Sequence, residues 1–171
     1  TVTTTVKALD EKLKAAGGQL HTNCGFWGGV IPGNEKDIEP LAERGVLGFK
    51  VFLTHSGIDE FPNVTESDLR KAMPLIAKHN LPLLVHCELS DTIQRSPAAT
   101  RYYNEYLASR PVKWEDDAIA LMIRLCGEFN CRTHIVHLSS AESIEQIRKA
   151  KEKGLPLRAE TAQHCLYFSA E

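Results

Sequence analysis

Residues 46–53 read VLGFKVFL, an apolar run interrupted by one lysine, Lys50. Two further runs have the same character, LPLLVH (81–86) and RTHIVH (132–137). Short apolar runs rich in β-branched residues and bounded by turn residues predict strands. Each of these carries a chemically capable residue near its C-terminal end: Lys50, His86 and His137. Helix-like stretches lie between them. In an alternating β/α protein the C-terminal strand ends meet at one rim, and that rim hosts the active site. Three residues distant in sequence are therefore expected to converge in space.

The same alternation runs through the rest of the chain. Val6, Leu9, Leu13 and Ala16 share one helical face, and Gly17-Gly18 closes that helix. QLHTNCGFW (19–27) reads as a strand. Asn34 is placed to cap a helix running to Glu43, with Gly45 beyond its end. The loop THSGIDEFPN (54–63) is long for a simple connection, and Thr65 with Asp68 resembles a capping pair for a helix carrying Leu69, Met73 and Ile76. Residues 87–112 hold a polar loop and a short helical piece from Tyr102 to Ala108. A longer helix covers 114–129. Ser139-Ser140 is read as the cap of a helix with Ile144 and Ile147, closed by Gly154, and PLRAETA (156–162) is the last strand. The strands are apolar almost throughout, which predicts a parallel sheet with helices on both faces.

Five βα units raise a problem of closure. A complete eight-stranded barrel takes about 250 residues, and five units leave an open arc with two unpaired edges. A doubly wound open sheet would call for a phosphate loop or a reversal of strand order, and the sequence has no G-x-G-x-x-G. The fold class expected is α/β, a parallel (β/α)8 TIM barrel. Residues 1–171 would form one partial domain of it, with no second domain.

Composition narrows the function. Of 171 residues 43% are hydrophobic, and the net charge is −2. No basic stripe with interleaved aromatics is present, which argues against nucleic acid as a partner. No apolar run approaches the ~20 residues of a membrane span, and the first residues read as an amphipathic helix and not as a secretory leader. The five cysteines are odd in number and form no C-x-x-C. That pattern fits reduced thiols in a cytoplasmic protein.

The chemistry rests on Lys50. An ammonium on an interior strand costs several kcal/mol unless it is paired or neutral. One reading pairs it with Glu88 or Glu160. The other leaves it desolvated with a lowered pKa, so that the neutral amine adds carbon dioxide and becomes a carbamate. Such a group is an anionic two-oxygen ligand able to bridge two cations, and with the neutral imidazoles of His86 and His137 it suits zinc or a related divalent ion. A paired-metal site generates hydroxide near neutral pH and polarises a carbonyl, which is what hydrolysis of an unactivated amide needs. The Ser56-Gly57 turn just past Lys50 is placed to offer backbone amides to a substrate. His164 ends the last strand segment and has either a site role or a structural one. His21 and His134, alternating with apolar neighbours, read as core or supporting residues. His55 and His79 read as loop or helix-end residues.

Four stretches, GFKVFLTHSGIDEFPNV, LLVHCE, IVHLSSAES and AETAQHCLYFS, together resemble the cyclic amidohydrolases of the amidohydrolase superfamily, and among them most nearly the allantoinases. GFWGGVIPGN followed by GFKVF, SG and DEFP is the most specific part. The resemblance covers essentially the whole chain and matches about strands three to seven of the family's barrel. It implies that Lys50 is the carboxylated ligand bridging two divalent metal ions, zinc by the family's pattern, and that His86 and His137 bind the second ion. It also implies a small cyclic ureide substrate, ring opening of allantoin to allantoate, and a homo-oligomer, a tetramer, as the complete enzyme. The family's H-x-H pair and its proton-shuttling Asp have no counterpart in this sequence, so no catalytic acid–base residue is assigned here. E-T-C-P-H-Y of the family stands here as Glu160-Thr161-Ala162-Gln163-His164-Cys165. The alternatives are a hydantoinase, dihydropyrimidinase or dihydroorotase, and, outside enzymes, a metal-free scaffold that kept the barrel.

Overall fold

The capping box anticipated at Thr65 is formed: Asp68 N–H donates to the Thr65 hydroxyl at 3.4 Å and Thr65 N–H donates to the Asp68 carboxylate at 2.9 Å. The helix it starts, Glu66–Lys78, buries Leu69, Ala72, Met73 and Ile76 along one face. That face packs on a parallel sheet in a computed structural model that describes residues 2–90 and 102–168. The polar loop read at 87–112 therefore lies partly outside the described residues.

The described helices are α1 (Val6–Ala16), α2 (Glu35–Glu43), α3 (Glu66–Lys78), α4 (Tyr103–Ala108), α5 (Lys113–Phe129), α6 (Ser143–Glu152) and α7 (Gln163–Tyr167). The strands are β1 (Gly28–Gly29), β2 (Phe49–Phe52), β3 (Leu83–His86), β4 (Thr133–Ile135) and β5 (Leu157–Ala159). All pairings are parallel and the strand order is β1-β2-β3-β4-β5. Sheet order equals chain order, so every crossover moves in one direction. A doubly wound sheet reverses direction at a switch point; a barrel does not. With right-handed crossovers this order lays the helices on one face. Successive helices accordingly touch one another, α1 on α2, α2 on α3, α3 on α5 and α5 on α6.

This corrects the expectation of helices on both faces. Alternate strand residues Phe49, Val51, Leu83, Val85, Ile135 and Leu157 are buried against the helices. Their neighbours Lys50, Phe52, Leu84, His86 and His134 point to the opposite face and are only partly covered. A cavity of about 660 Å³, lined by Trp27, Leu84, His134 and Arg158 among others, lies over that open face.

Three local expectations are also corrected. The strand read at 19–27 is displaced: β1 is Gly28–Gly29, and His21 lies outside any strand and is exposed. β1 is glycine because a side chain does not fit; a Cβ on Gly28 would come within 2.7 Å of the Phe49 ring, and one on Gly29 within 2.4 Å of Phe61. Asn34 precedes α2, but its side chain does not cap it. It accepts from Ile31 N–H and donates to Thr4 and Gly29 carbonyls, tying the N-terminal segment to β1. Ser139-Ser140 precede α6 without capping it; the N-cap position is Glu142.

Candidate metal centre

The sheet register places the site. Phe52 is opposite His86 and Lys50 is opposite Leu84, so alternation sends Lys50, Phe52 and His86 to one face near the C-terminal strand ends. β4 stops at Ile135, and His137 follows with φ +43°, a left-handed turn that is uncommon for a residue with a side chain. The turn brings the His137 ring edge-on to the His86 ring, centroids 4.6 Å apart. His86 Nδ1 stands 2.9 Å from His137 Nε2. Phe52 joins the group to Lys50: its ring stacks on His86 at 5.2 Å, and the Lys50 Nζ lies 4.7 Å from its centroid. Phe61 packs edge-on against Phe52 and backs the ring from the 54–63 loop.

The electrostatics favour neutral forms. Burial lowers the Lys50 pKa to about 8, against the opposing pull of Glu160. Cys87 is buried and its thiol is pushed far above the ordinary range, so it stays protonated and offers Lys50 no counter-charge. Among the described residues neither anticipated carboxylate pairs with Lys50. Glu160 stands 3.1 Å from His134. Glu88 is taken by the Arg110 guanidinium in a two-pronged contact and lies 3.4 Å from His86 Nε2. The His86 contact and Arg110 hold the Glu88 carboxyl at about 2, despite burial. Burial first, then the neighbouring His86 and Lys50, lower the His137 pKa.

These donors fit a cation. At this distance an N–H on one imidazole nitrogen and the lone pair of the other make a single hydrogen bond; when neither facing nitrogen carries a proton, a cation between them takes both lone pairs. Nitrogens bound to one tetrahedral zinc stand about 3.3 Å apart, close to the 2.9 Å here. The Glu88 carboxylate on the far nitrogen of His86 is the usual arrangement behind a metal-bound imidazole. Among the described residues no three His, Cys, Asp or Glu side chains converge as ligands; Lys50 is joined to the pair through the Phe52 ring.

The structure treats the remaining sequence candidates differently. The Ser56 hydroxyl donates to the Phe61 carbonyl at 2.6 Å, and the Gly57 N–H donates to His55 Nδ1 at 3.1 Å, so both shape their own loop. His164 is exposed on α7. Sequence reasoning passed over Glu115, Arg110 and Phe52. Phe52 was legible from its spacing of two from Lys50. Arg110 and Glu115 come from outside the strands, and their approach depends on how α5 packs.

No family model matches the chain. Among curated proteins it is 44% identical over 171 residues to the mitochondrial allantoinase of Aquarana catesbeiana, covering 99% of this chain and 35% of that protein. It is 39% identical over 175 residues to the allantoinase of Saccharomyces cerevisiae, covering 99% and 38%. The chain thus spans little more than a third of the length of these relatives. Among solved structures, L-hydantoinase from Arthrobacter aurescens superposes with a TM-score of 0.86 at 31% identity, over 94% of this chain and 37% of that one. A dihydroorotase from Saccharomyces cerevisiae has a TM-score of 0.71 at 15% identity, over 98% and 47%, a likeness of fold alone. Sequence order at the rim, a one-directional parallel sheet and these likenesses agree: over essentially its whole length the chain is similar to about a third of the allantoinases, and its fold to the corresponding part of a hydantoinase.

Proposed function

We propose that this chain is the metal-bearing part of a cyclic amide hydrolase, an allantoinase that opens the hydantoin ring of allantoin to allantoate. The observation that carries the reading is the 2.9 Å approach of His86 Nδ1 to His137 Nε2 beside a desolvated Lys50. Residues 1–171 would act as one partial barrel domain of the complete enzyme. Lys50 would bridge two divalent ions, zinc by donor chemistry, after its neutral amine forms an N–C bond to carbon dioxide and releases a proton to solvent. His86 and His137 would hold one of the ions.

A bound divalent pair supplies an activated water and a Lewis acid for the ring carbonyl. The chain's own residues prepare the place for it. Glu88, fixed by Arg110, orients His86 through its far nitrogen. Phe52 and Phe61 keep water from one side of Lys50. The Ser56-Gly57 turn and His164 are the substrate-side candidates, on the basis of position along the chain. In the net reaction water adds to the ring carbonyl carbon, the ring C–N bond breaks and the departing nitrogen takes a proton. The complete enzyme is proposed to be a cytoplasmic homotetramer; no helix among the described residues is long and apolar enough to cross a membrane.

In a full-length protein carrying this chain, Lys50→Ala is expected to abolish both metal occupancy and turnover. Metal analysis and assay on allantoin, hydantoin, dihydrouracil and dihydroorotate check this. Undiminished turnover by Lys50→Ala overturns the ligand assignment. Preference for one of the other three substrates moves the enzyme to the hydantoinase, dihydropyrimidinase or dihydroorotase reading, and a full-length protein without divalent metal favours the scaffold.

A further inference from the structure

The loop after His137 is held from outside the sheet. Ser139 N–H and Ser140 N–H donate to the two carboxylate oxygens of Glu115, each at 2.9 Å, and the Ser139 hydroxyl donates to Glu115 at 2.6 Å. The next residue of α5 continues the grip: Asp116 accepts from the Ser140 and Ser143 hydroxyls, both at 2.6 Å. On the other side Leu138 N–H donates to the Glu160 carbonyl at 2.7 Å, and Thr161 returns a bond to the Leu138 carbonyl at 2.7 Å. Bonds to an ionised acceptor are about twice as strong as neutral ones, and Glu115 accepts three within three residues of His137.

That anchorage has work to do. His137 sits in the left-handed region, which is strained for a residue with a side chain and persists only where its surroundings over-determine it. Released, the backbone would relax toward φ below zero and swing the imidazole ring away from His86. Glu115 also lines, with His86, Cys87, Arg110 and His137, a cavity of about 230 Å³ behind the histidine pair. It lies close to the pair without being a ligand in it.

We propose that Glu115 is a positioning residue: its carboxylate fixes the turn that keeps the His137 imidazole opposed to His86, and so sets the affinity of that ion site. The inference rests on the reading of His86 and His137 as ion ligands. Its test uses a full-length protein carrying this chain, stripped of metal and titrated with Co²⁺ against a competing chelator, with visible absorption as the readout. Glu115→Ala is expected to weaken one of the bound equivalents by about 10- to 100-fold and to alter its absorption bands. Glu115→Gln, which keeps one acceptor oxygen, and Ser139→Ala, which removes one of three donors, are expected to fall between Glu115→Ala and the parent. These two also serve if Glu115→Ala does not fold. Affinity within twofold of the parent in the folded variants overturns the proposal, as does a loss of thermal stability with unchanged Co²⁺ affinity and spectrum. His137→Ala separates the two readings. If it removes one equivalent while the Glu115 variants keep both, only the positioning role fails. If it keeps both equivalents at parent affinity, the ion-site reading itself fails.

Discussion

Lys50 shows how one side chain acquires chemistry from its surroundings. Its stem rises from β2 onto the Phe52 ring, and no carboxylate among the described residues forms an ion pair with it. Desolvation then favours the neutral amine. The folded state binds this proton less tightly than the unfolded chain, whose lysine titrates near 10.5, so burying Lys50 opposes folding at low pH and this opposition fades as pH rises from about 8 toward 10.5. In metal-free protein kept free of carbon dioxide, competitive acylation mapped by mass spectrometry is expected to show Lys50 reacting with a midpoint near pH 8. The exposed lysines should lag by two units or so. Added bicarbonate is expected to protect Lys50 alone. A midpoint above pH 10 would show the amine to be solvated. The two histidines stood out in the sequence because each ends an apolar run, and the lysine because it interrupts one. The partners of Glu88 did not, because Arg110 reaches it from 22 residues away in sequence.

Among the elements, α3 and β1 mark the extremes of legibility. α3 announces itself by Thr65 and Asp68 ahead of an apolar stripe, and both cap bonds are present. Thr65→Ala is expected to cost about 1 kcal/mol, read as a lowered midpoint in urea with unchanged slope. A change below the resolution of the measurement would mean that packing alone fixes the start of α3. The far side of α3 is tied to α5 by an ion-pair network in which Glu66 accepts from Arg70 and Arg124, and Arg70 reaches Glu128. β1 was misplaced by several residues because its two glycines carry no hydrophobic signal. They are strand residues through the approach of Phe49 and Phe61, a tertiary cause with no local trace. The Ser139-Ser140 reading failed for a related reason. Serines just before a helix are good caps by local rule, yet here α5 offers them stronger acceptors.

Taken whole, the molecule is a sheet dressed on one side. β1 and β5 are its edges, with the Thr3 carbonyl accepting from Gly29 N–H beside β1. The strand order that identifies a barrel was not readable from the runs themselves, since apolar strands fit a doubly wound sheet equally well; only pairing decided it. A protein made of residues 1–171 alone is expected to self-associate through its open face, eluting larger as concentration rises, and to lack hydrolase activity. Light scattering and an allantoin assay check this, and a monodisperse, active monomer would contradict it. The agreement between sheet order and chain order carries a consequence for biosynthesis. Each strand emerging from the ribosome finds its partner already laid down, so assembly can proceed vectorially with few long-range searches. The two imidazoles, however, are 51 residues apart along the chain. If His86 and His137 hold the cation proposed above, one captured before β4 docks would meet one imidazole and one amine, and metallation would come late in synthesis.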